Sequence, residues 1–323
     1  MKQFFGVVFG GLFAIACGIG IAYAGSYGWR ILSQYRAHRA AVAVPETGAV
    51  VDAKSTDDTS ISGMRRTIRY TATEEEDLIN AAAQALPAAS DKRIGATAYL
   101  LKNMKTGDVV IGHNTDRALP IASLTKLVTA VVARKLIDPD ERITIGKKVM
   151  ATYGNTANFI PGEVLSAENL MYPLLMVSSN DAAEALALAY DRPKFIRAMN
   201  DWVQSIGAYR TYFADPSGLS PDNVSTVNDM ALILDWIRLK EPEIIDITAL
   251  KTKTIRAHTW VNPTHFLSWS YYIGGKNGYT TEANRTGAAL FKLGKNKNVY
   301  AVIVLGSGNR DADVIKLLEK VRE

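Results

Sequence analysis

Residues 118–133 read ALPIASLTKLVTAVVA. Leu124, Leu127, Val128, Val131 and Val132 recur at the spacing of an apolar helical stripe, which predicts a helix over 121–137. Pro120, just upstream, suits the N-terminal boundary, where a missing N–H costs nothing. Ser123 and Lys126 then lie three residues apart on one helical turn, about 5–6 Å between side-chain origins, so the amine can reach the serine oxygen. At the start of the helix the Ser123 N–H is free to meet a developing oxyanion. The plainer reading of the same four residues is a capping serine beside a surface lysine, and S-x-x-K alone does not decide between them.

Working outward, residues 96–101 and 109–113 flank Asn103-Met104-Lys105-Thr106-Gly107-Asp108, which has the turn chemistry of a β-hairpin. Residues 170–190 are helical on both sides of a polar break, and 227–239 form another helix. Residues 288–293 and 300–305 make a second hairpin, and 311–322 a closing helix. Strands at both ends enclose a helical middle. That order predicts a sheet assembled from distant segments, helices packed on it, and a helical lobe inserted between.

The polar break is Ser178-Ser179-Asn180-Asp181. As a helix restart, Asn180 is the N-cap and Asp181 suits the first turn. As chemistry, Ser178 relays a proton and the Asn180 amide binds a substrate carbonyl. A further stretch, Gly274 to Thr280, follows Trp269, Tyr271 and Tyr272, an aromatic run that reads as a strand. Glycines within a strand let another backbone approach, as in edge binding of an extended peptide, and Lys276 puts a cation beside that edge. The alternative is an ordinary Gly-rich turn.

Composition narrows the chemistry. The 323 residues, 48% of them apolar and 21% charged, exclude wholesale disorder and a multispan membrane protein. Cys17 is the single cysteine, and the four histidines form no metal-binding helix pair, so no cofactor or metal is expected and a nucleophile here is an oxygen. The net charge of +5 sits mostly in residues 1–72, which carry eight Lys and Arg against four Asp and Glu. The nearly balanced remainder lacks the basic footprint of a nucleic-acid binder. Between Lys2 and Arg30 no residue is charged, long enough for a membrane helix, and residues 4–29 are expected to hold the chain at the cytoplasmic membrane. Ala22-Tyr23-Ala24 also fits a signal-peptidase site. The expected organisation is therefore 1–30 as anchor or signal peptide, 31–73 as flexible linker, and 74–323 as the folded body, opening with a helix over 74–86.

Taken together, S-x-x-K, then S-x-N, then K-x-G on a late strand resemble the penicillin-binding protein and serine β-lactamase superfamily. More closely, 118–133, PLLMVSSNDAAEALA (173–187), DPSGLSPDNVSTVNDMA (215–231) and GGKNGYTTEANRTG (274–287) resemble the blocks of the low-molecular-weight D-alanyl-D-alanine carboxypeptidases, peptidase family S11, in the family's order. The resemblance implies an α+β fold of the β-lactamase/transpeptidase type: an antiparallel sheet flanked by helices, with an all-helical subdomain and the site between the lobes. It implies that Ser123 attacks the penultimate D-Ala carbonyl of a peptidoglycan stem peptide, with neutral Lys126 as base. Burial, Lys276 and the helix end push that lysine's pKa down. Charged Lys276 orients Ser178, and Asn180 completes the catalytic set. The implied oxyanion hole is the N–H groups of Ser123 and Tyr279, and the implied substrate contacts are Lys276, Asn277, Gly278, Thr280 and Arg310. β-Lactams are the implied acylating inhibitors, and the outer face of the cytoplasmic membrane the implied location.

Asn277 departs from the family's usual Thr, although an amide can still donate to a carboxylate. Lys105-Thr106-Gly107 spells the family's third motif literally, but in a hairpin turn ahead of Ser123, and is not expected to be catalytic. Alternatives are a β-lactamase, for which Glu163 and Glu168 are candidate bases by sequence proximity, a D,D-endopeptidase, and a catalytically weak peptidoglycan binder.

Overall fold

Apolar residues on both faces of a short segment demand cover on both faces, and 98–103 is such a segment. In the computed structural model, which describes residues 91–294 and 296–322, it lies inside a five-stranded antiparallel sheet. The strands are β1 (Ala98–Asn103), β2 (Val109–His113), and three from the far end of the chain described below. After β2, a two-residue strand β3 (Leu119–Pro120) leads through a single 3-10 turn (Ala122–Leu124) into α1 (Thr125–Leu136). The inserted part continues with β4 (Arg142–Thr144), α2 (Lys147–Met150), β5 (Val164–Ser166), α3 (Ala167–Met176), α4 (Asn180–Tyr190) and α5 (Arg192–Ser205). It closes with β6 (Val224–Ser225), α6 (Val227–Lys240), α7 (Pro242–Ala249) and the hairpin β7 (Thr252–Ile255) and β8 (His258–Val261). The chain then returns to the sheet as β9 (Tyr272–Thr280), β10 (Asn284–Leu293) and β11 (Asn298–Ser307), and ends in α8 (Arg310–Arg322).

The strand order is β2-β1-β11-β10-β9, so β1 pairs with the last strand, Ala98 opposite Leu305, and β9 is an edge. One face of the sheet (Ala98, Leu100, Leu290, Ile303) joins the main core with α1 and α3 to α7. The other (Tyr99, Leu101, Phe291, Val302) packs under α8 through Val314, Leu317 and Leu318. The result is the expected antiparallel sheet between helices.

Two local expectations change. The helix over 121–137 begins only at Thr125, because Ala122 takes a left-handed conformation (φ +48°) that interrupts the entry. The aromatic run does not extend the strand: Trp269 and Tyr271 precede β9, where Phe266, Trp269, Tyr271 and Tyr272 cluster with Phe291. The expected anchor, linker, first helix and 73/74 boundary lie outside the described residues.

Candidate active site

Ser123 sits in the 3-10 turn between β3 and α1. The left-handed Ala122 costs on the order of 1 kcal/mol, tolerable only where surroundings over-determine it. They do so from three sides. Ile121 donates its N–H to Asn223 O at 3.0 Å, Thr286 Oγ1 on β10 donates to Ile121 O at 3.0 Å, and Thr125 Oγ1 donates to Ala122 O at 2.8 Å.

Lys126, on the first turn of α1, is completely buried. Its Nζ lies 2.9 Å from Ser123 Oγ, 2.7 Å from Asn180 Oδ1 and 2.6 Å from Ser217 O. The two carbonyl oxygens can only accept, so they take both hydrogens of an uncharged amine and leave its lone pair facing Ser123, whose hydroxyl can donate. The environment favours that uncharged form. Burial holds the Lys126 pKa well below the ordinary lysine value, the positive charge of Lys276 lowers it further, and the Asp215 carboxylate pulls the other way. Such an arrangement can pass the serine proton to the amine as the oxygen attacks an electrophile.

Asn180 reaches Lys126 because it is not the cap. Ser179 is the N-cap of α4, its Oγ accepting from Ala182 N at 3.1 Å, which corrects the expectation for Asn180. Asn180 becomes the first helical residue, and its Nδ2 donates to Tyr153 O at 2.7 Å. One Nδ2 hydrogen remains for a ligand. Ser178, in the break between α3 and α4, is also left-handed (φ +59°), and its Oγ lies 2.9 Å from Lys276 Nζ. Lys276 is buried on β9 and also donates to Asn277 O at 2.8 Å. Burial, then the Arg310 charge, bring its pKa down to about 7.

The edge strand runs close beside Ser123. A methyl group on Gly278 would lie 2.8 Å from Ser123 N and 2.5 Å from Thr286 Oγ1, too near for any side chain. Tyr279 follows, its exposed ring under the Arg285 guanidinium at 5.5 Å. Thr280 lies at the β9–β10 turn, its hydroxyl accepting from Ala283 N at 3.1 Å. Asn277 Nδ2 approaches Thr264 Oγ1 at 3.4 Å. Arg310, the first residue of α8, stands over Gly287 on the neighbouring strand and donates through Nε to Asp311 at 2.7 Å. Asp311 in turn meets His265 Nδ1 at 2.8 Å.

The structure thus brings Ser123, Lys126 and Asn180 into contact on one side, Ser178 and Lys276 on the other, with Gly278 of the same β9 strand close against Ser123. Glu163 and Glu168 are elsewhere: Glu163 meets His258 Nε2 at 2.8 Å, and Glu168 lies 3.6 Å from Arg134. Lys105-Thr106-Gly107 is the β1–β2 turn, organised by Asn103 Oδ1. Two contacts were not foreseen, the carbonyls of Tyr153 and Ser217. Backbone acceptors carry no residue-type signal, although the Asp-Pro-Ser-Gly run at 215–218 does announce a turn.

The fold is similar to that of solved penicillin-binding proteins. Penicillin-binding protein D2 from Listeria monocytogenes, solved with cefotaxime bound, superposes with a TM-score of 0.65 at 26% identity, covering 73% of this chain and all of that one. The model of the family described as Peptidase_S11, D-alanyl-D-alanine carboxypeptidase, matches residues 84–308, and the chain belongs to that family. It is 30% identical over 244 residues to D-alanyl-D-alanine carboxypeptidase DacD of Salmonella typhimurium, covering 70% of this chain and 62% of that protein. It is also 30% identical over 243 residues to a D-alanyl-D-alanine endopeptidase of Pseudomonas aeruginosa, covering 70% of this chain and 77% of that protein. The chain spans about three fifths of the length of the carboxypeptidase.

Proposed function

We propose that the chain is a serine D-alanyl-D-alanine carboxypeptidase of the cell envelope. The Ser123 oxygen bonds to the carbonyl carbon of the penultimate D-Ala while its proton passes to Lys126. Collapse of the tetrahedral intermediate breaks the peptide C–N bond, and a proton delivered through Ser178 leaves with the terminal D-Ala. Water then cleaves the acyl-enzyme and restores the serine. The N–H groups of Ser123 and Tyr279 stabilise the oxyanion, Asn180 orients the peptide, and Lys276, Asn277, Gly278, Thr280 and Arg310 receive the terminal carboxylate. Residues 4–29 tether the enzyme to the outer face of the cytoplasmic membrane through the 31–73 linker.

The observation that supports this reading most is the Lys126 amine, held by two obligate acceptors with its third neighbour a serine hydroxyl. Incubation with a pentapeptide ending in D-Ala-D-Ala tests it. The expected result is D-Ala release that disappears in Ser123→Ala. Release persisting in that variant, or binding without release in the unsubstituted chain, overturns it.

A second reading, cleavage of D-Ala cross-links, is favoured by the Pseudomonas endopeptidase, of which the chain covers 77%. Digestion of purified sacculi separates the two. Shortened stem peptides mark a carboxypeptidase, and monomers released from cross-linked dimers mark an endopeptidase.

A further inference from the structure

The turn that presents the Ser217 carbonyl is built on one buried carboxylate. Asp215 Oδ1 accepts from Ser217 N at 2.6 Å, Ser217 Oγ at 2.8 Å and Gly218 N at 2.7 Å, while Oδ2 accepts from Ser220 N at 2.5 Å. Four donors converging on two oxygens fix the intervening peptide planes. The turn is also tied to the helix that carries Lys126. Pro216 O accepts from Thr129 Oγ1 at 2.5 Å, and Asn223 Nδ2 bridges Asp215 O at 2.9 Å and Thr125 Oγ1 at 3.0 Å. Gly218 closes the gap to the serine: its φ is +85°, and a Cβ there would lie 1.9 Å from Ala122 O.

The charged groups acting on the Lys126 amine come from two elements. Lys276 faces it from β9, itself under the influence of Arg310 at the head of α8, and Asp215 faces it from this turn. The contact from α4, Asn180, is neutral. No cation forms an ion pair with Asp215 among the described residues, so its charge is balanced by hydrogen bonds and is felt by the amine.

We propose that Asp215 is a positioning residue of the reaction: its carboxylate folds the turn that holds the Ser217 carbonyl against the Lys126 amine, and its negative charge acts on that amine. The inference rests on the acyl-enzyme reading above. Position and charge act in opposite senses. The carbonyl aims the lone pair at the hydroxyl, whereas the carboxylate favours the ammonium, which has no lone pair to offer.

The test is the rate of acylation by a fluorescent penicillin, measured on the full chain in detergent from about pH 5.5 to about pH 10, with the adduct mapped by mass spectrometry. Asp215→Asn keeps an acceptor for Ser217 and Gly218 and removes the charge. Its acid limb is expected to move to lower pH, raising the ratio of the rate near pH 6 to that near pH 9 at least about threefold relative to the unsubstituted chain. Asp215→Glu keeps the charge and displaces the carboxylate, so it is expected to retain the original limb and lose about tenfold in the plateau rate. A limb that does not move in Asp215→Asn, with the unsubstituted chain labelled at Ser123, overturns this inference alone. Absence of a Ser123 adduct in the unsubstituted chain overturns the acyl-enzyme reading and this inference with it. Should Asp215→Asn fail to fold, Asp215→Glu decides: a shifted limb or an unchanged plateau overturns the proposal.

Discussion

Two lysines of the site are both buried, and neither touches a carboxylate among the described residues. On the α1 side every hydrogen-bonding direction of Lys126 is taken, by two carbonyls and a hydroxyl. On the β9 side Lys276 holds Ser178 and a carbonyl of its own strand, which is an edge of the sheet. Burial alone therefore does not set a lysine's role. Lys126 is driven far from its ordinary value and enclosed, as suits a base. Lys276 is brought to about 7 and reaches Ser178 from its strand, so its charge, unlike that of Lys126, is present on the acid side of neutrality.

The most severe way to break this contrast is to remove the enclosed amine. Lys126→Ala is expected to slow penicillin acylation about 10³- to 10⁴-fold, the size of a lost general base, as read by mass spectrometry of the adduct. Equal labelling of variant and parent would move the base role elsewhere. Next is the close approach of β9 to Ser123. Gly278→Ala puts a methyl 2.8 Å from Ser123 N, and the shift this forces is expected to cost about 10²-fold in the same rate. An unaltered rate would mean that the strand's approach to Ser123 is not used.

The Lys276 side is sharpened by pH. Its charge is present below about 7 and lost above, so on the proposed function capture of a terminal carboxylate is expected to weaken as pH rises through 7. For the D-Ala-D-Ala peptide, KM is expected to rise about tenfold between about pH 6 and about pH 8, with kcat less affected. A flat KM would assign carboxylate capture to Arg310. The smallest effect concerns Asp181, buried beside Asn180 with neither oxygen bonded and its pKa pushed up to about 6 by burial. The folded state binds its proton more tightly than the unfolded chain, so stability falls as pH rises from about 4 to about 6 and stays lower above. Asp181→Asn is expected to gain about 2 kcal/mol at pH 8, nothing near pH 3, and to alter acylation less than about threefold, by thermal unfolding and labelling in parallel. Loss of acylation would show that the contrast involves a third buried charge.

How far the sequence carried the reading depended on where the chemistry resides. Ser123, Lys126, Ser178, Asn180 and Lys276 were legible because the contacts that gather them are made by side chains and their order is that of a known family. The β1–β2 and β10–β11 hairpins and α6 were legible from turn chemistry and periodicity. The carbonyls of Tyr153 and Ser217 were not, since every residue has one. The choice between Ser179 and Asn180 as cap was not either, because both are good caps and tertiary contacts decided it. Helices α5 and α7 and the β7–β8 hairpin went unread. Phe195, Met199, Trp202 and Val203 give α5 a helical stripe, but its charged flanks obscured the pattern. The aromatic run misled because Trp and Tyr favour strands yet pack as readily in clusters over a sheet.

The pairing of Ala98 with Leu305 sets the order of events during synthesis. A ribosome making this chain releases the opening strand long before its neighbour exists, and closing so long a loop is slow. Until the last strand emerges the nascent polypeptide has no finished sheet. Ser123 and Gly278 therefore meet only late in the making of the chain.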